Sequence, residues 1–403
     1  MKRTLLGAAI AAVTLAPGFA QGPSAIVFEG GRVIIGDGRP AIENATIVVQ
    51  GDRITQVGSA ATVKAPAGAT RVSLAGKTVM PAIVDTHVHT STTAPELVND
   101  LRQRALFGVG AAMSLGLDGT DAPFAQRGHS TAGLARFFTA GRGITAPEKG
   151  RTEVPYWITS AAEGRTAVQE LAAKKVDIVK IWVDDRDGKF PKLTPALYGA
   201  VIDEAHKQKL RVAAHIFSLE DAKGLLRAGI DAFAHGIRDT DADAEVMALF
   251  KAHPNVVVVP NMPDRGVAAD YSWLKGHISD GELQKIQAAA TDRPQVHDTW
   301  SIQGRNLKKL SDAGVKIAMG TDGNTAWAPH VEMADMVASG MTPAQVIIAA
   351  TKTSANFVRL ANTGTIETGR TADLLVLDAN PLADITNTRK ISAVYLRGAK
   401  VER

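Results

Sequence analysis

A chain of 403 residues is too long for one small core and suits a domain of roughly 250 residues with a smaller companion. The composition, 45% hydrophobic and 21% charged with no low-complexity tract, is that of a globular protein. The net charge of +4 carries little information, no basic cluster interleaves with aromatics to suit nucleic acid, and the absence of cysteine excludes disulfides and thiolate ligands or nucleophiles.

Residues 1–20 read as an export signal: Lys2 and Arg3 form a positive start, Leu5 to Leu15 an apolar stretch, and Gly18-Phe19-Ala20 a small-x-small cleavage site. Removing Lys2 and Arg3 from the 45 basic residues leaves 43 against 41 acidic ones. The mature chain is expected to begin near Gln21, free of the membrane, in the periplasm or outside the cell. An uncleaved anchor is the competing reading, although the apolar run is short for a bilayer span. No cysteine precedes the cleavage point, so a lipoprotein is not expected.

From Ala25 to Met80 the pattern is short strands with turn punctuation. Ile26–Phe28 and Arg32–Ile35 flank Gly30-Gly31. Ala45–Val49 and Ile54–Val57 suggest a hairpin, and Arg71–Leu74 and Thr78–Met80 close the series. A small β-sandwich is expected. After Pro81, apolar strand-like runs alternate with amphipathic helices. The runs are Ile83–Val88, Val109–Leu115, Leu134–Ala140, Val176–Val183, Leu210–Ile216, Ile230–Ala234, Asn255–Val259 and Val315–Met319. Helices are predicted over Pro95–Phe107, Ala162–Lys174, Pro195–Lys207, Leu219–Ala228 and Asp241–Ala252, and later over Met333–Ser339 and Thr342–Thr353. Eight such units predict an α/β fold, a (β/α)₈ TIM barrel. The alternative, a doubly wound open sheet, would want a Gly-rich phosphate turn after its first strand, and none is present. Ala372–Leu377 and Ile391–Arg397 read as strands again. The expected organisation is therefore a β-sandwich from residues 21–80 and 365–403 around a barrel of residues 81–364.

Functional residues of such a barrel sit at the carboxyl ends of its strands. The first run ends in Asp85-Thr86-His87-Val88-His89, where alternation places His87 and His89 on one strand face. Two imidazoles at that spacing can share a metal ion, but exposed strand residues fit the pair equally well. The fourth run carries Lys180, the fifth ends in His215, the sixth in His235 and the eighth in Asp322. One polar residue closing an apolar run is ordinary; five strands doing so together point to a site. Lys180 is a poor ligand while protonated, and it could instead snorkel to the mouth or pair with Asp184 or Asp185.

This ordered set resembles the amidohydrolase superfamily of metal-dependent hydrolases along nearly all of the mature length. The resemblance rests on Asp85-Thr86-His87-Val88-His89, Asp177-Ile178-Val179-Lys180-Ile181, Gly320-Thr321-Asp322-Gly323, the tail Gly369-Arg370-Thr371-Ala372-Asp373-Leu374-Leu375-Val376-Leu377, and Asn380-Pro381-Leu382. The imidazolonepropionase-like and prolidase-like (Xaa-Pro dipeptidase-like) branch is the most similar. The resemblance implies two divalent metal ions, zinc by default, and a carbamate on Lys180 (N6-carboxylysine) bridging them. His87, His89 and Asp322 would hold the more buried ion, and His215 and His235 the more exposed one. A hydroxide bridging the ions would attack, with Asp322 as proton shuttle, and Asp85 would support the site without binding metal.

Substrate residues are less legible. Arg142, Tyr156, Arg238, Tyr271 and His330 are candidates to contact a small-molecule substrate, each with a competing structural role such as a salt bridge or core packing. His129, His206, His253, His277 and His297 read as structural or solvated. The expected reaction is cleavage of an amide C–N bond in a dipeptide or N-acyl amino acid. A lactonase or phosphotriesterase on the same centre is the alternative, and a non-catalytic binding protein a third reading. A homo-oligomer is compatible with the sequence.

Overall fold

The computed structural model describes residues 25–402, so the expected export signal lies outside the described residues. No helix among them is long and apolar enough to cross a membrane. Strands β1 (Ile26–Val33), β2 (Ile42–Gln50) and β3 (Arg53–Ser59) run antiparallel in sequence order, and β4 (Thr70–Ser73) and β5 (Thr78–Pro81) lie parallel to β1. The alternation of β2 explains its two faces: Ala45, Ile47 and Val49 enter one apolar cluster, while Val48 turns the other way onto Val27 and Ala25. The strand-like runs flanking Gly30-Gly31 join in a continuous β1, where the register against β2 slips around Gly31.

The chain then alternates parallel strands and helices. The strands are β6 (Ile83–Val88), β7 (Val109–Ser114), β8 (Arg136–Thr139), β9 (Ile144–Thr145), β10 (Tyr156–Trp157), β11 (Val179–Val183), β12 (Val212–Ile216), β13 (Ala232–Ala234), β14 (Val257–Val259) and β15 (Lys316–Ile317). Nearly every residue of β6, β7 and β11 to β14 is buried, as expected of strands covered on both faces. The helices between them are α1 (Ala94–Leu106), α2 (Asp121–Gln126), α3 (Ala161–Ala173), α4 (Pro195–Lys207), α5 (Leu219–Arg227), α6 (Ala244–Ala252), α7 (Asp280–Ala289) and α8 (Pro294–Asp312). After β15 come α9 (Ala328–Ala338), α10 (Pro343–Ile348) and α11 (Ser354–Phe357), with a π-helical turn at Ala349–Thr353 joining the last two. Local signals agree with the boundaries: Ser160 and Glu163 form a capping box at the start of α3, and Pro195 opens α4.

The tail returns as β16 (Leu374–Leu377), β17 (Ile391–Leu396) and β18 (Ala399–Lys400). β16 pairs antiparallel with β5, so both ends of the described chain share one eight-stranded sheet.

The parallel strands do not form one unbroken ladder. They make a three-stranded sheet, β6-β7-β8, and a seven-stranded sheet, β10-β9-β11-β12-β13-β14-β15. The closed eight-stranded barrel expected from the sequence is therefore not what the ladders describe. The third expected run forms β8, which pairs with β7, whereas β9, a short strand beyond that run, pairs with β11, and the ladder breaks between them. The indole of Trp182, at the end of β11, sits in this break. A Cβ added at Gly143 would lie 1.9 Å from its Cζ3, so only glycine lets the chain pass. Individual hydrogen bonds nonetheless tie the sheets together. Asp177 N donates to Thr139 O at 2.9 Å on one side, and Thr86 N to Met319 O at 3.0 Å on the other. Gly320 permits this second approach, since a Cβ there would stand 2.9 Å from the backbone nitrogen of His87.

Candidate metal centre

Strand polarity gathers the ends of β6, β11, β12, β13 and β15 at one mouth, and the candidate residues meet there. Asp85 anchors the corner between β6 and β15. It is fully buried, accepts from Thr321 N at 3.1 Å and Thr321 Oγ1 at 2.9 Å, and faces the Arg104 guanidinium at 3.4 Å. Burial pushes its carboxyl up to about 6, with Arg104 opposing. This is the supporting role expected of it.

Asp322 is the hub. Its backbone is in the left-handed region (φ 54°), which turns the carboxylate back over the strand ends. Oδ1 lies 3.0 Å from His87 Nε2 and 2.8 Å from His89 Nε2, and Oδ2 lies 3.3 Å from His235 Nε2. Burial works to raise this carboxyl, but the surrounding imidazoles, His87 first, hold it well below the usual carboxylate range. His87, His235 and Asp322 offer ligand atoms that all lie within 4.8 Å of one another. His215 joins through His235, their ring centroids 4.4 Å apart. His89 touches Asp322 and is the most exposed of the four histidines.

The protonation pattern suits a cation. Burial pushes His87 down to about 4, with Lys180 adding to the effect, so the ring is neutral at ordinary pH. His215 and His235 are likewise held well below their usual value by burial. His87 Nδ1–H donates to Asn261 Oδ1 at 2.9 Å. Its other nitrogen, Nε2, must then present a lone pair to the Asp322 carboxylate. Two acceptors 3.0 Å apart repel unless a positive charge lies between them. The donors present therefore fit a divalent metal ion.

Lys180 is fully buried, and its Nζ has no hydrogen-bond partner. It neither snorkels to the mouth nor pairs with the two aspartates considered for it. Asp184 bonds His215 and Arg186, and Asp185 accepts from Gly188 N. Burial brings the Lys180 amine down to about 7, with Asp322 opposing. The Trp182 indole covers it at 5.4 Å.

The substrate candidates divide. Tyr271 lines a cavity of about 730 Å³ with Trp327, Glu332 and Thr321, one residue from Asp322. Arg238 stands beside His215 and His235, which its charge disfavours in their protonated forms, and stacks over Phe217 at 5.1 Å. Arg142 and Tyr156 are engaged with each other. The guanidinium lies 4.0 Å over the ring and donates to Val154 O at 2.5 Å, holding the loop before β10. His330 is buried in the first turn of α9, with Nδ1 bonded to Thr388 Oγ1 at 3.1 Å and Nε2 to Phe107 O at 2.9 Å. Neither nitrogen remains for a substrate.

Four polar residues at this mouth were not picked out from the sequence as site residues. Asn261 closes the seventh run as the histidines close theirs, and that signal could have found it. Asp184, Arg186 and Glu148 lie in loops whose course the sequence pattern does not reveal.

An α/β fold whose parallel strand ends converge on histidines, a buried lysine and an aspartate presents a set of candidate metal ligands at one mouth. The chain belongs to the amidohydrolase family, whose model matches residues 78–401. It is similar to the imidazolonepropionase of Streptomyces coelicolor, at 25% identity over 91% of this chain and 95% of that protein. Among solved structures it resembles a putative prolidase from Bifidobacterium longum, with a TM-score of 0.77, 26% identity, and 94% and 95% of the two chains covered. An uncharacterized protein of Mycobacterium bovis is 29% identical over 54% of this chain, and the match spans 56% of that relative's length. These likenesses set the chain in the imidazolonepropionase-like and prolidase-like branch of the superfamily.

Proposed function

We propose that the protein hydrolyses an amide C–N bond in a small substrate, a dipeptide or N-acyl amino acid, with two divalent metal ions, zinc by default. The observation that carries this reading is Lys180: an unpartnered amine, fully buried and shifted toward neutrality, among three buried histidines and a carboxylate. A neutral amine is a nucleophile. Its lone pair attacks carbon dioxide, an N–C bond forms, one C=O electron pair moves to oxygen, and a proton leaves the nitrogen. The cation becomes a carbamate anion able to bridge two ions. His87, His89 and Asp322 would hold the more buried ion, and His215 and His235 the other.

When bound, such a pair lowers the pKa of water toward roughly 7 and polarises a carbonyl oxygen. Asp322, an ionised carboxylate in the folded chain, would take the proton of the attacking water and deliver it to the departing nitrogen. The covered floor formed by Trp182 limits stray water around Lys180. The same reading takes the two parallel sheets as a (β/α)₈ barrel, the shared sheet of the chain ends as a sandwich domain around it, and residues 1–20 as a cleaved export signal to the periplasm or medium.

A panel of dipeptides, N-acyl amino acids, lactones and organophosphates, assayed with and without chelation, tests the proposal. Chelator-sensitive amide hydrolysis is expected. Activity confined to lactones or phosphoesters would overturn the substrate class, and turnover unaffected by chelation would overturn the metal mechanism. Asp322→Asn should lose about 10²- to 10⁴-fold in kcat.

A further inference from the structure

Beside the six expected ligands, the loop after β11 builds a triangle of atoms at His215. Asp184 Oδ2 lies 2.8 Å from His215 Nε2, Arg186 Nη1 lies 2.9 Å from the same nitrogen, and Nη1 and Oδ2 are 2.6 Å apart. No arrangement of hydrogens satisfies all three contacts. Nη1 has hydrogens and no lone pair; a carboxylate oxygen has lone pairs and no hydrogen. If Nε2 carries a hydrogen it suits Asp184 and opposes Arg186. If it carries a lone pair it suits Arg186 and opposes Asp184. The stable reading is that imidazole and carboxylate both direct lone pairs at a positive group, and that the guanidinium is that group.

We propose that Arg186 is an internal, displaceable cation that holds the position of the second metal ion, and that Asp184 is a further ligand to that ion. This rests on the two-metal reading above and adds to it a seventh donor and a competitor. The berth for the displaced guanidinium is already present. Glu148 is wholly buried, its Oε1 has no hydrogen-bond partner, and that atom stands 3.5 Å from Arg186 Nε. The Nε and Nη2 atoms of Arg186 lack hydrogen-bond partners, so Nη1 makes its side-chain hydrogen bonds while Nε meets Glu148 as an ion pair alone. Arg186 and Asp187 both have left-handed backbone, φ 55° and 59°, a conformation that bulky residues keep only where surrounding contacts impose it. When a divalent ion enters between His215 Nε2 and Asp184 Oδ2, both lone pairs gain a stronger acceptor and the guanidinium moves onto Glu148. Entry of the second ion is thereby coupled to a rearrangement of the loop 184–188, next to where substrate must arrive.

The test is a zinc titration of the chelator-treated full chain, in bicarbonate buffer, competed against a chromophoric chelator so that both affinities are read directly. Wild type should bind two ions per chain. Asp184→Asn should weaken the second by about tenfold or more, and Glu148→Gln should weaken it in the same direction. Arg186→Gln should tighten it by about tenfold, which a merely structural arginine would not do. The first affinity should stay unchanged in all three variants, which also reports that they fold. If wild type takes two ions and Asp184→Asn and Arg186→Gln match it at the second, the displaceable cation is overturned while the two-metal reading stands. If wild type takes fewer than two, both fall together.

Discussion

Replacing Lys180 with methionine should abolish activity and yet make the metal-free protein more stable. The amine is fully buried without a hydrogen-bond partner, and its pKa falls from 10.5 to about 7. At about 1.4 kcal/mol per unit, that displacement corresponds to about 5 kcal/mol of unfavourable free energy for burying the charged form. The sign follows from proton counting. Between pH 7 and 10.5 the unfolded chain holds the proton and the folded chain has released it, so stability rises with pH across that window. Below pH 7 both states are protonated and the full penalty applies. Wild type should therefore carry about 5 kcal/mol of strain at pH 6 and about 2 kcal/mol at pH 9. Methionine has similar length, fills the same slot beneath Trp182 and carries no charge. Relaxation and water entry reduce such penalties, so a gain of about 3 kcal/mol at pH 6, shrinking by more than half at pH 9, is the expected result. Urea unfolding of chelator-treated protein in carbon-dioxide-free buffer at the two pH values measures it. A methionine variant no more stable than wild type at pH 6, or equally stabilised at both, would refute the reasoning.

Other substitutions separate structure from chemistry. Gly143→Ala should cost about 1–3 kcal/mol by forcing a Cβ against Trp182, and Trp182→Leu in the same chain should recover much of that loss, read as a double-mutant cycle in urea. His330→Ala should lower stability by about 1–3 kcal/mol through its two lost hydrogen bonds while leaving KM unchanged; a raised KM at full stability would mean that it meets substrate after all. Asp85→Ala should cost about 3–5 kcal/mol, because Arg104 is left as an unpaired buried charge, and calorimetry would show this as a lower Tm with metal content also reduced.

The sequence exposed those residues whose position is set by strand periodicity. His87, His89, His215 and His235 close apolar runs, Lys180 sits inside one, and Asp322 follows the last; the period-two rule is enough to aim them together. It was also enough to find β6, β7 and β12 nearly to the residue. The rule failed where tertiary contacts decide. Helix α8 was missed because its buried stripe includes Gln303, Gly304 and Asn306, polar or small residues that do not register as an apolar face. The break between β8 and β9 depends on an indole arriving from β11, which no local pattern records. Arg142 carries the right charge for a carboxylate, but a tyrosine fourteen places away takes up that charge, and only the folded loop brings them together. Asp184 and Arg186 belong to the same class: adjacent in sequence to the lysine strand, they acquire meaning only through the left-handed turn that points them at His215.

Two buried lysines show what the fold is arranged to do. The Lys223 side chain is also largely covered, but its ammonium is met near the surface by the exposed carboxylates of Asp243 and Glu220 at 2.7 Å and Glu245 at 3.1 Å. The hydrogen bonds it donates, to Asp243 first and then Glu220, hold its pKa above the ordinary value, so it stays charged and ties the starts of α5 and α6 together. That is how a protein settles a buried cation. Lys180 receives none of this treatment, although Asp322 is near enough for its charge to act on the amine and Asp184 directly follows the same strand. Instead those carboxylates face imidazole nitrogens that are already acceptors or are contested by Arg186. The mouth thus holds a surplus of lone pairs on one side and an unsatisfied amine on the other. Pairing them directly would stabilise the chain and leave nothing to react. Keeping them apart costs stability that, on the proposed function, carbon dioxide and divalent ions would restore, because the first would turn the amine into another acceptor and the second would supply the positive charge that every acceptor there is facing.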